Sequence, residues 1–519
     1  MSIRIALDKP PEFYTNLDFV SGRVILSLNR PETIGNIIVK LEGESRTALS
    51  LQPQGRDDYN MGGNVVTENH KILYRVFQVY PDDGVALPFQ PGQHEFKFNF
   101  KVPLNNICHD ARAISSLMGV GGVGGVGNPG LLGKGGFRTM DGTKQLMLLH
   151  VKSTLPPSLT GFPQEAEIRY YIKVTIQRPG IFKENWRYQV GFKFLPVEPP
   201  RPKLSQQEAF ARRPFTFKPR TPLPTRKSFF GSKPTAANVS NSAGQTPPSI
   251  EMSARLPYPS ILTCNEPIPL RLIARKLVSA QEQVYLTALE VALVGYTHIR
   301  VANYENVERT IWIVASALNL SIALGSPTDP PDTEFEIPKT VWATQRLPNT
   351  IAPSFKTCNL ARRYELELKL SLSWGLPGSG KSSSGSLAQV VSLPLTLSKV
   401  EVFSGIRPPP QLLQTATTGT VSTNTNTNSN TNENGAAPRP PPRPSASAST
   451  GAQPVRPSDP LYPPQLGPDN VPAYDDAPPS YDEAMAESLA GPQERPAYSG
   501  VTAENAPSTM PAEKSGLRS

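Results

Sequence analysis

The most constraining feature of the sequence is a set of segments in which apolar and polar residues alternate. In His94–Val102, Phe96, Phe98 and Phe100 share one face with Val102, while charged and polar side chains share the other. The same period of two recurs in residues 168–176 and 364–374. This is the period of a β-strand with one buried face, whereas a helix repeats every 3.6 residues. We therefore expect the folded part to consist mostly of strands.

Weaker alternating segments extend this prediction along the chain. They are Arg23–Leu28, Asn36–Leu41, Ile72–Val79, Pro269–Leu277, Tyr285–Val294, Thr310–Val314 and Val391–Leu397. Turn-forming residues separate them, and no long segment has helical periodicity with good caps. Strands with one solvent-exposed face, separated by short turns, are typical of antiparallel sandwiches. The predicted fold class is therefore all-β, with two antiparallel β-sandwich domains.

Composition places the boundaries between these domains. The chain has 57 Pro and 38 Gly among its 519 residues. This combined fraction is higher than the roughly 12% that Pro and Gly make up in a globular domain, so part of the chain should not fold. We expect one β-sandwich in residues 1–198, with a flexible Gly-rich insertion at about 115–136. A basic, Pro-rich linker is expected over 199–249, and a second β-sandwich over 250–405. Residues 406–519 are rich in Asn, Thr, Pro and Ser, which predicts a disordered tail.

The charge is unevenly distributed. The net charge is +9, but the linker holds nine basic residues against a single acid, Glu208. Such a segment predicts either a solvated, solubilising linker or a contact with an anionic membrane or an acidic partner. The sequence has no zinc-finger spacing and no basic stripe interleaved with aromatic residues, so we expect no nucleic-acid partner.

Cysteine and histidine are scarce. The three Cys cannot form a disulfide framework, which indicates a reducing compartment. The Cys108–Asp110 segment lacks the paired spacing of a metal site, so no metal or other cofactor is expected. The chain has no signal-peptide core and no apolar run of about 18 residues, which predicts a soluble intracellular protein.

One segment imitates a nucleotide-binding loop. Gly375–Ser382 matches the Walker A spacing, but the preceding strand alternates and the following residues are poor helix formers. No apolar run ends in an Asp that could bind magnesium. We therefore predict that this segment is the polar tip of a β-hairpin. The alternative is that the protein is a nucleotide hydrolase with a phosphate-binding loop here. The glycines at 119–127 are equally unlike a dinucleotide-binding loop, and no catalytic nucleophile is evident, so the protein is not expected to be an enzyme.

The clearest functional motif lies in the tail. Pro478, Pro479, Ser480 and Tyr481 form a PPxY sequence flanked by acidic residues. Two prolines favour the polyproline II conformation that WW-domain grooves accept, and the tyrosine provides a separate aromatic anchor. The motif therefore predicts binding to a WW domain.

Weaker motifs lie nearby. Val471, Pro472 and Tyr474 form a secondary WW-binding candidate that lacks the first proline, as does the segment Arg495–Tyr498. A second bound motif would raise the affinity for a partner with several WW domains. The Pro438–Arg443 segment matches an SH3 ligand and is equally explained as a stiff spacer.

Taken in order, several segments resemble the α-arrestins, in particular the fungal arrestin-related trafficking adaptors. Those that resemble the N-terminal domain are Val20–Val24, Val39–Gly43, Pro91–Phe98, Val102–Pro103, Leu155–Ser158, Ile168–Val174 and Leu195–Pro200. Arg255–Pro259 and Tyr364–Leu368 resemble the C-terminal domain. The resemblance covers about residues 1–405 and departs from the family pattern at the Gly-rich insertion and the long basic linker.

The resemblance implies an adaptor that binds plasma-membrane transporters or receptors. It would recruit a WW-domain HECT ubiquitin ligase through the PPxY motif and promote ubiquitination and endocytosis of the cargo. Such a protein would be cytoplasmic and recruited peripherally to the plasma membrane and endosomes. The alternative is a ligase-independent signalling or sorting scaffold of the same fold, for example in ambient-pH signalling.

Regulatory residues are expected in the linker. The ubiquitin-acceptor candidates are Lys203, Lys218, Lys227 and Lys233. The phosphorylation candidates are Thr221, Ser228 and Thr246, of which two precede proline and one follows two basic residues. Phosphorylation there would reduce the positive charge of the linker.

Overall fold

A computed structural model describes most of the two expected domains and a little of the tail. The described residues are 1–51, 64–81, 88–107, 150–162, 165–179, 183–219, 246–375, 389–413, 486, 488–492, 494–497 and 500. None of the helices in these ranges is long and apolar enough to cross a bilayer.

The N-terminal sandwich contains two antiparallel sheets. Its strands are β1 (Ser2–Leu7), β2 (Phe19–Leu28), β3 (Glu32–Thr33), β4 (Asn36–Leu51), β5 (Asn64–Tyr80), β6 (Pro88–Phe89), β7 (Gly92–Lys101), β8 (Leu159–Phe162), β9 (Ala166–Gln177) and β10 (Trp186–Phe192). One sheet has the order β1-β2-β7, and the other has the order β10-β9-β4-β5, with β8 paired to β9. Strands β3 and β6 form a separate short pair.

The C-terminal sandwich is built in the same way. Its strands are β11 (Glu208–Thr216), β12 (Ser249–Pro257), β13 (Ile261–Thr263), β14 (Arg271–Lys276), β15 (Val284–Val301), β16 (Tyr304–Ala317), β17 (Ile322–Ala323), β18 (Glu334–Glu336), β19 (Phe355–Lys356), β20 (Leu360–Trp374) and β21 (Gln389–Phe403). A four-stranded sheet, β11-β12-β14-β18, packs on a seven-stranded sheet whose main path is β13-β21-β20-β15-β16. A 3₁₀ turn spans Lys339–Val341.

The alternating segments form the strands that the sequence predicts. In β20, every second residue from Tyr364 to Leu372 is buried, whereas the residues between them are partly or fully exposed. The two sheets of each sandwich contribute to one apolar core. Each fully buried leucine of such a core stabilises the fold by about 1.5–3 kcal/mol. The prediction of an all-β, two-sandwich chain is therefore confirmed.

The predicted linker differs from the structure in its middle part. Residues 208–216 form β11, which pairs along its whole length with β12. Ala211 and Phe215 pack against the C-terminal core, and Phe217 just beyond the strand is fully buried within it. Arg212 and Arg213 are exposed. The basic residues are therefore exposed on an edge strand, where charge opposes pairing with other chains, and they hide its apolar residues in a composition count.

The strands around the Walker-like segment agree with a hairpin. Strands β20 and β21 are antiparallel neighbours, and Trp374 pairs with Gln389 across them. A phosphate-binding loop joins a strand to a helix, whereas the next element among the described residues here is the strand β21. Residues 376–388 themselves, the insertion at 115–136 and the segment Cys108–Asp110 lie outside the described residues.

Buried polar side chains join the two sandwiches. Asn359, before β20, accepts a hydrogen bond from Ser45 Oγ at 2.6 Å and donates to Thr47 Oγ1 at 3.1 Å. Thr47 Oγ1 in turn donates to the carbonyl of Arg300 at 2.7 Å. Three apolar residues of the C-terminal sandwich also belong to the N-terminal core: Ile299, Ala352 and Leu360. The two sandwiches thus share a packed interface.

The N-terminal sandwich also contains a buried charge cluster. Lys71 of β5 forms ion pairs with Glu42 and, at 2.5 Å, with Glu44. Arg169 of β9 pairs with Glu44 at 3.0 Å, and the Tyr171 hydroxyl donates to the same carboxylate at 2.6 Å. Each of these charges therefore has a partner on a neighbouring strand, which is the condition under which charges are buried in proteins.

Candidate functional site

The predicted site residues fall into two groups. Lys203, Lys218 and Thr246 are described and exposed, as residues open to modification must be. The others lie outside the described residues: Pro478, Pro479, Ser480, Tyr481, Val471, Pro472, Tyr474, Lys227, Lys233, Thr221 and Ser228. The SH3-ligand segment 438–443 lies outside them as well. The structure therefore bears on the WW-binding motif only through the residues that follow it in the chain.

A segment just after the PPxY motif contacts the folded body. We call its described residues, 486, 488–492 and 494–497, the docked segment. Arg495 forms an ion pair with Asp18 at 2.6 Å and donates to the carbonyl of Phe13 at 2.9 Å. Gly491 lies so close that an added Cβ would be 2.5 Å from Asp18 Oδ1. Asp18, at the start of β2, is thus enclosed by the tail.

A second group of contacts lies at the beginning of the docked segment. Lys101, at the end of β7, donates from Nζ to the carbonyls of Ala486 at 3.0 Å and Leu489 at 2.5 Å. A small apolar cluster packs beside it and consists of Leu17, Leu104, Leu412, Ala486 and Leu489. Leu412 comes from a helical turn over residues 410–413 that follows the second sandwich. Two separate parts of the tail therefore meet on the N-terminal sandwich.

The far end of the docked segment reaches the other sandwich. Asn265 and Asn349 donate side-chain hydrogen bonds to the carbonyl of Ala497 at 2.9 and 2.8 Å. Both asparagines belong to loops of the C-terminal sandwich. The docked segment therefore spans both domains, holding the first by Asp18 and Lys101 and the second by these two amides.

The surroundings of Asp18, where the docked segment is bound, favour a positively charged partner. Burial raises the pKa of Asp18, although the Thr15 amide and Arg495 both act in the opposite direction. Burial and the Asp18 charge also raise the pKa of Tyr14 to about 12. A carboxylate in such surroundings is stabilised by a partner that brings both charge and hydrogen bonds, as a guanidinium does.

The WW-binding motif lies close to the docked segment in sequence. Tyr481 precedes Ala486, the first residue of that segment, by five positions. The contacts of the docked segment were not predicted from the sequence, in which Arg495 was considered only as part of the weak motif Arg495–Tyr498.

Comparison with known proteins finds similarity to an arrestin domain and to two trafficking adapters. Residues 3–119 match the family model described as arrestin (or S-antigen), N-terminal domain. The chain is 26% identical over 136 residues to arrestin-related trafficking adapter 10 of Lachancea thermotolerans, covering 23% of this chain and 32% of that protein. It is 30% identical over 115 residues to the protein of the same name from Candida glabrata, covering 19% and 23%. The matches thus span less than a third of either relative.

Proposed function

We propose that this chain is a fungal α-arrestin and acts as an adaptor in membrane-protein trafficking. It binds plasma-membrane transporters or receptors through the two sandwiches and recruits a WW-domain HECT ubiquitin ligase through Pro478–Tyr481. The ligase then ubiquitinates the cargo and marks it for endocytosis. The names of its relatives, arrestin-related trafficking adapters, support the trafficking role.

The observation that best supports ligase recruitment is that the docked segment, which follows the PPxY motif, is bound to both sandwiches. The docked segment begins five residues after Tyr481 and is fixed to both sandwiches by Asp18, Lys101 and the two asparagines that bind Ala497. A ligase bound to the motif would consequently be held near the body and near whatever the body has bound. Such tethering raises the effective concentration of one partner at the other without any chemistry by the adaptor itself.

The linker residues would regulate this assembly. Lys203 and Lys218 are exposed close to the second sandwich, so a recruited ligase could also modify the adaptor. Lys227 and Lys233 are further acceptors in this proposal, and Thr221, Ser228 and Thr246 are the phosphorylation sites. The basic residues of the linker would contact the anionic inner surface of the plasma membrane, which is consistent with a cytoplasmic protein recruited there and to endosomes. Pro438–Arg443 would add an SH3 partner.

The decisive experiment measures WW-domain binding by the full-length chain. The Tyr481→Ala variant should lose at least about tenfold in affinity, since the variant removes the aromatic anchor of the motif. Tyr474→Ala is the matched control, because it removes the same side chain from the weaker copy, and it should change affinity much less. If Tyr481→Ala binds undiminished, the motif is not the ligase site.

A cellular experiment separates this proposal from the scaffold alternative. Proximity labelling with the wild-type chain should mark both a ligase and a membrane cargo, whereas Tyr481→Ala should keep the cargo and lose the ligase. In the Tyr481→Ala variant, cargo endocytosis should decrease together with ligase recruitment. A Tyr481→Ala protein that preserves full pathway output would instead indicate a ligase-independent scaffold of the same fold.

A further inference from the structure

Three residues distant in sequence bring metal-binding atoms together between the two sandwiches. They are His70 of β5, His150 before β8, and Cys358 in the loop between β19 and β20. One nitrogen or sulfur atom from each residue lies within 4.8 Å of those of the other two. Cys358 Sγ is 3.8 Å from His150 Nδ1, and the two imidazole centroids are 5.6 Å apart.

The histidine at the centre is oriented as a metal ligand would be. His70 is completely buried, and its Nε2 is 2.7 Å from Glu68 Oε1. Its second nitrogen, Nδ1, is buried without a hydrogen-bond partner of normal geometry, and the Cys358 thiol is a polar neighbour of the ring. A metal-bound histidine usually donates a hydrogen bond from its other ring nitrogen, often to a carboxylate, and this bond fixes the ring and its tautomer. The pair of Glu68 and His70 reproduces this arrangement.

The carboxylate is itself fixed by the second sandwich. Glu68 accepts hydrogen bonds from Arg300 Nη2 at 3.1 Å and from the Ala302 amide at 2.6 Å. Arg300 also donates to the carbonyl of Cys358, so the same guanidinium positions the carboxylate and the cysteine loop. The carboxylate that orients the His70 ring is therefore itself held by contacts that exist only when the sandwiches are together.

The cysteine sulfur is held in place by a backbone amide. Cys358 is 6% exposed, and the Val151 amide donates to its Sγ at 3.3 Å. This hydrogen bond holds the sulfur in place, as contacts around a metal-binding side chain usually do. His150 is only half-buried, and this gives an ion a route to the site.

From this geometry we propose that His70, His150 and Cys358 bind a zinc ion that fastens the N-terminal sandwich to the C-terminal one. One sulfur and two imidazole nitrogens are a donor set that zinc accepts, with water as a fourth ligand. Neighbouring ligands on a tetrahedral zinc ion lie about 3.5 Å apart, so binding requires the cluster to contract from separations of up to 4.8 Å. The thiol proton of Cys358 leaves to solvent as the Zn–S bond forms.

The alternative is that the same residues form only a hydrogen-bonded cluster. In that case the imidazoles and the thiol would contact one another without taking up an ion. The two interpretations differ in what the purified protein does with added metal, which can be measured directly.

The experiment uses the full-length chain, first stripped with a chelator and then equilibrated with Zn²⁺ alone or with Co²⁺. The wild-type chain should bind Zn²⁺ stoichiometrically, and Co²⁺ should give the near-ultraviolet absorption of a thiolate–cobalt bond. Cys358→Ser should lose that absorption together with tight zinc binding. Glu68→Gln should weaken zinc binding by about 10- to 100-fold, because the carboxylate orients His70.

Matched controls use the same residue types elsewhere. Cys264→Ser removes another buried cysteine, and His94→Gln removes another histidine, so both should keep the wild-type metal binding. If Cys358→Ser does not fold, the cobalt spectrum of the wild-type chain decides alone. A wild-type chain that takes up neither ion, or a cobalt complex without thiolate absorption, would overturn the zinc site. So would a folded Cys358→Ser variant that binds zinc as well as the wild type.

Discussion

Glu44 illustrates how a single charged residue depends on partners from other strands. Burial raises the pKa of this carboxyl, but Lys71 and Arg169 outweigh burial and hold the pKa well below its usual value of 4.5. A carboxyl whose pKa is lower in the folded than in the unfolded state stabilises the fold above the unfolded pKa. That contribution is lost as the pH falls below about 4.5, because the unfolded chain then binds the proton first.

We therefore predict that the effect of Glu44→Gln depends on pH. At pH 7 the variant should be less stable than the wild type by about 3–5 kcal/mol, since it removes the buried charge with which both Lys71 and Arg169 pair. The difference should shrink below pH 4.5. Urea unfolding of both proteins at pH 7 and at pH 3.5 measures it.

An exposed ion pair provides the control for this prediction. Glu95 pairs with Arg23 at 3.3 Å on the surface, and both side chains are well exposed. Glu95→Gln should cost at most about 1 kcal/mol at pH 7. A Glu44→Gln effect as small as that of Glu95→Gln would show that the buried cluster is not a source of stability.

At the scale of secondary structure, the sequence predicts best where one face of a strand is apolar. The pattern of β7 and β20 follows directly from the alternation of their side chains, since in each strand every second residue is less exposed than its neighbours. Strand β11 escaped prediction because its inward residues are interspersed with Arg212, Arg213 and Pro214. Its pairing is decided by β12, which lies more than thirty residues further along, and so by tertiary contact rather than local composition.

The existence of β11 gives a prediction within the expected linker. Phe217 is 1% exposed and lies against Trp374, with 6.0 Å between the ring centroids. Phe217→Ala should destabilise the C-terminal sandwich by about 3–5 kcal/mol, because the substitution leaves a cavity in the core. Thermal or urea unfolding measures the loss.

Phe210, on β11 itself, is the control. Its side chain is 56% exposed, so Phe210→Ala should change stability by no more than about 0.5 kcal/mol. Equal, small effects of the two substitutions would mean that residues 208–217 behave as a linker in solution.

At the scale of the whole molecule, the docked segment ties the end of the chain to both sandwiches. Arg495 and Asp18 are 477 residues apart in sequence, and no local pattern predicts such a contact. The PPxY motif, in contrast, is local, and the sequence alone suffices to propose it. The His70–Cys358 cluster escaped prediction for the same reason as the tail contact, since its members have no regular spacing.

We predict that Arg495→Ala releases the docked segment. The ion pair with Asp18 and the bond to the Phe13 carbonyl are both lost, so amide hydrogen exchange of residues 486–497 should become faster. Affinity for an isolated WW domain should stay the same, because the motif itself is unchanged.

Glu494→Ala tests whether the effect is specific. Glu494 is the exposed neighbour of Arg495, and its loss should leave the exchange of residues 486–497 unaltered. If Arg495→Ala exchanges like the wild type, the docked segment is held mainly by Lys101 and the two asparagines.

The polar interface around Asn359 has a consequence for the relative motion of the two sandwiches. Pulling the sandwiches apart would remove the partners of Asn359, Thr47 and Glu68 in a single step, so hinge bending between the sandwiches is unfavourable. If the chain recruits a ligase as proposed, the span between a bound cargo and that ligase is then governed by the number of residues between the PPxY motif and the docked segment. Lengthening or shortening that stretch would in that case change which lysines of the cargo are ubiquitinated.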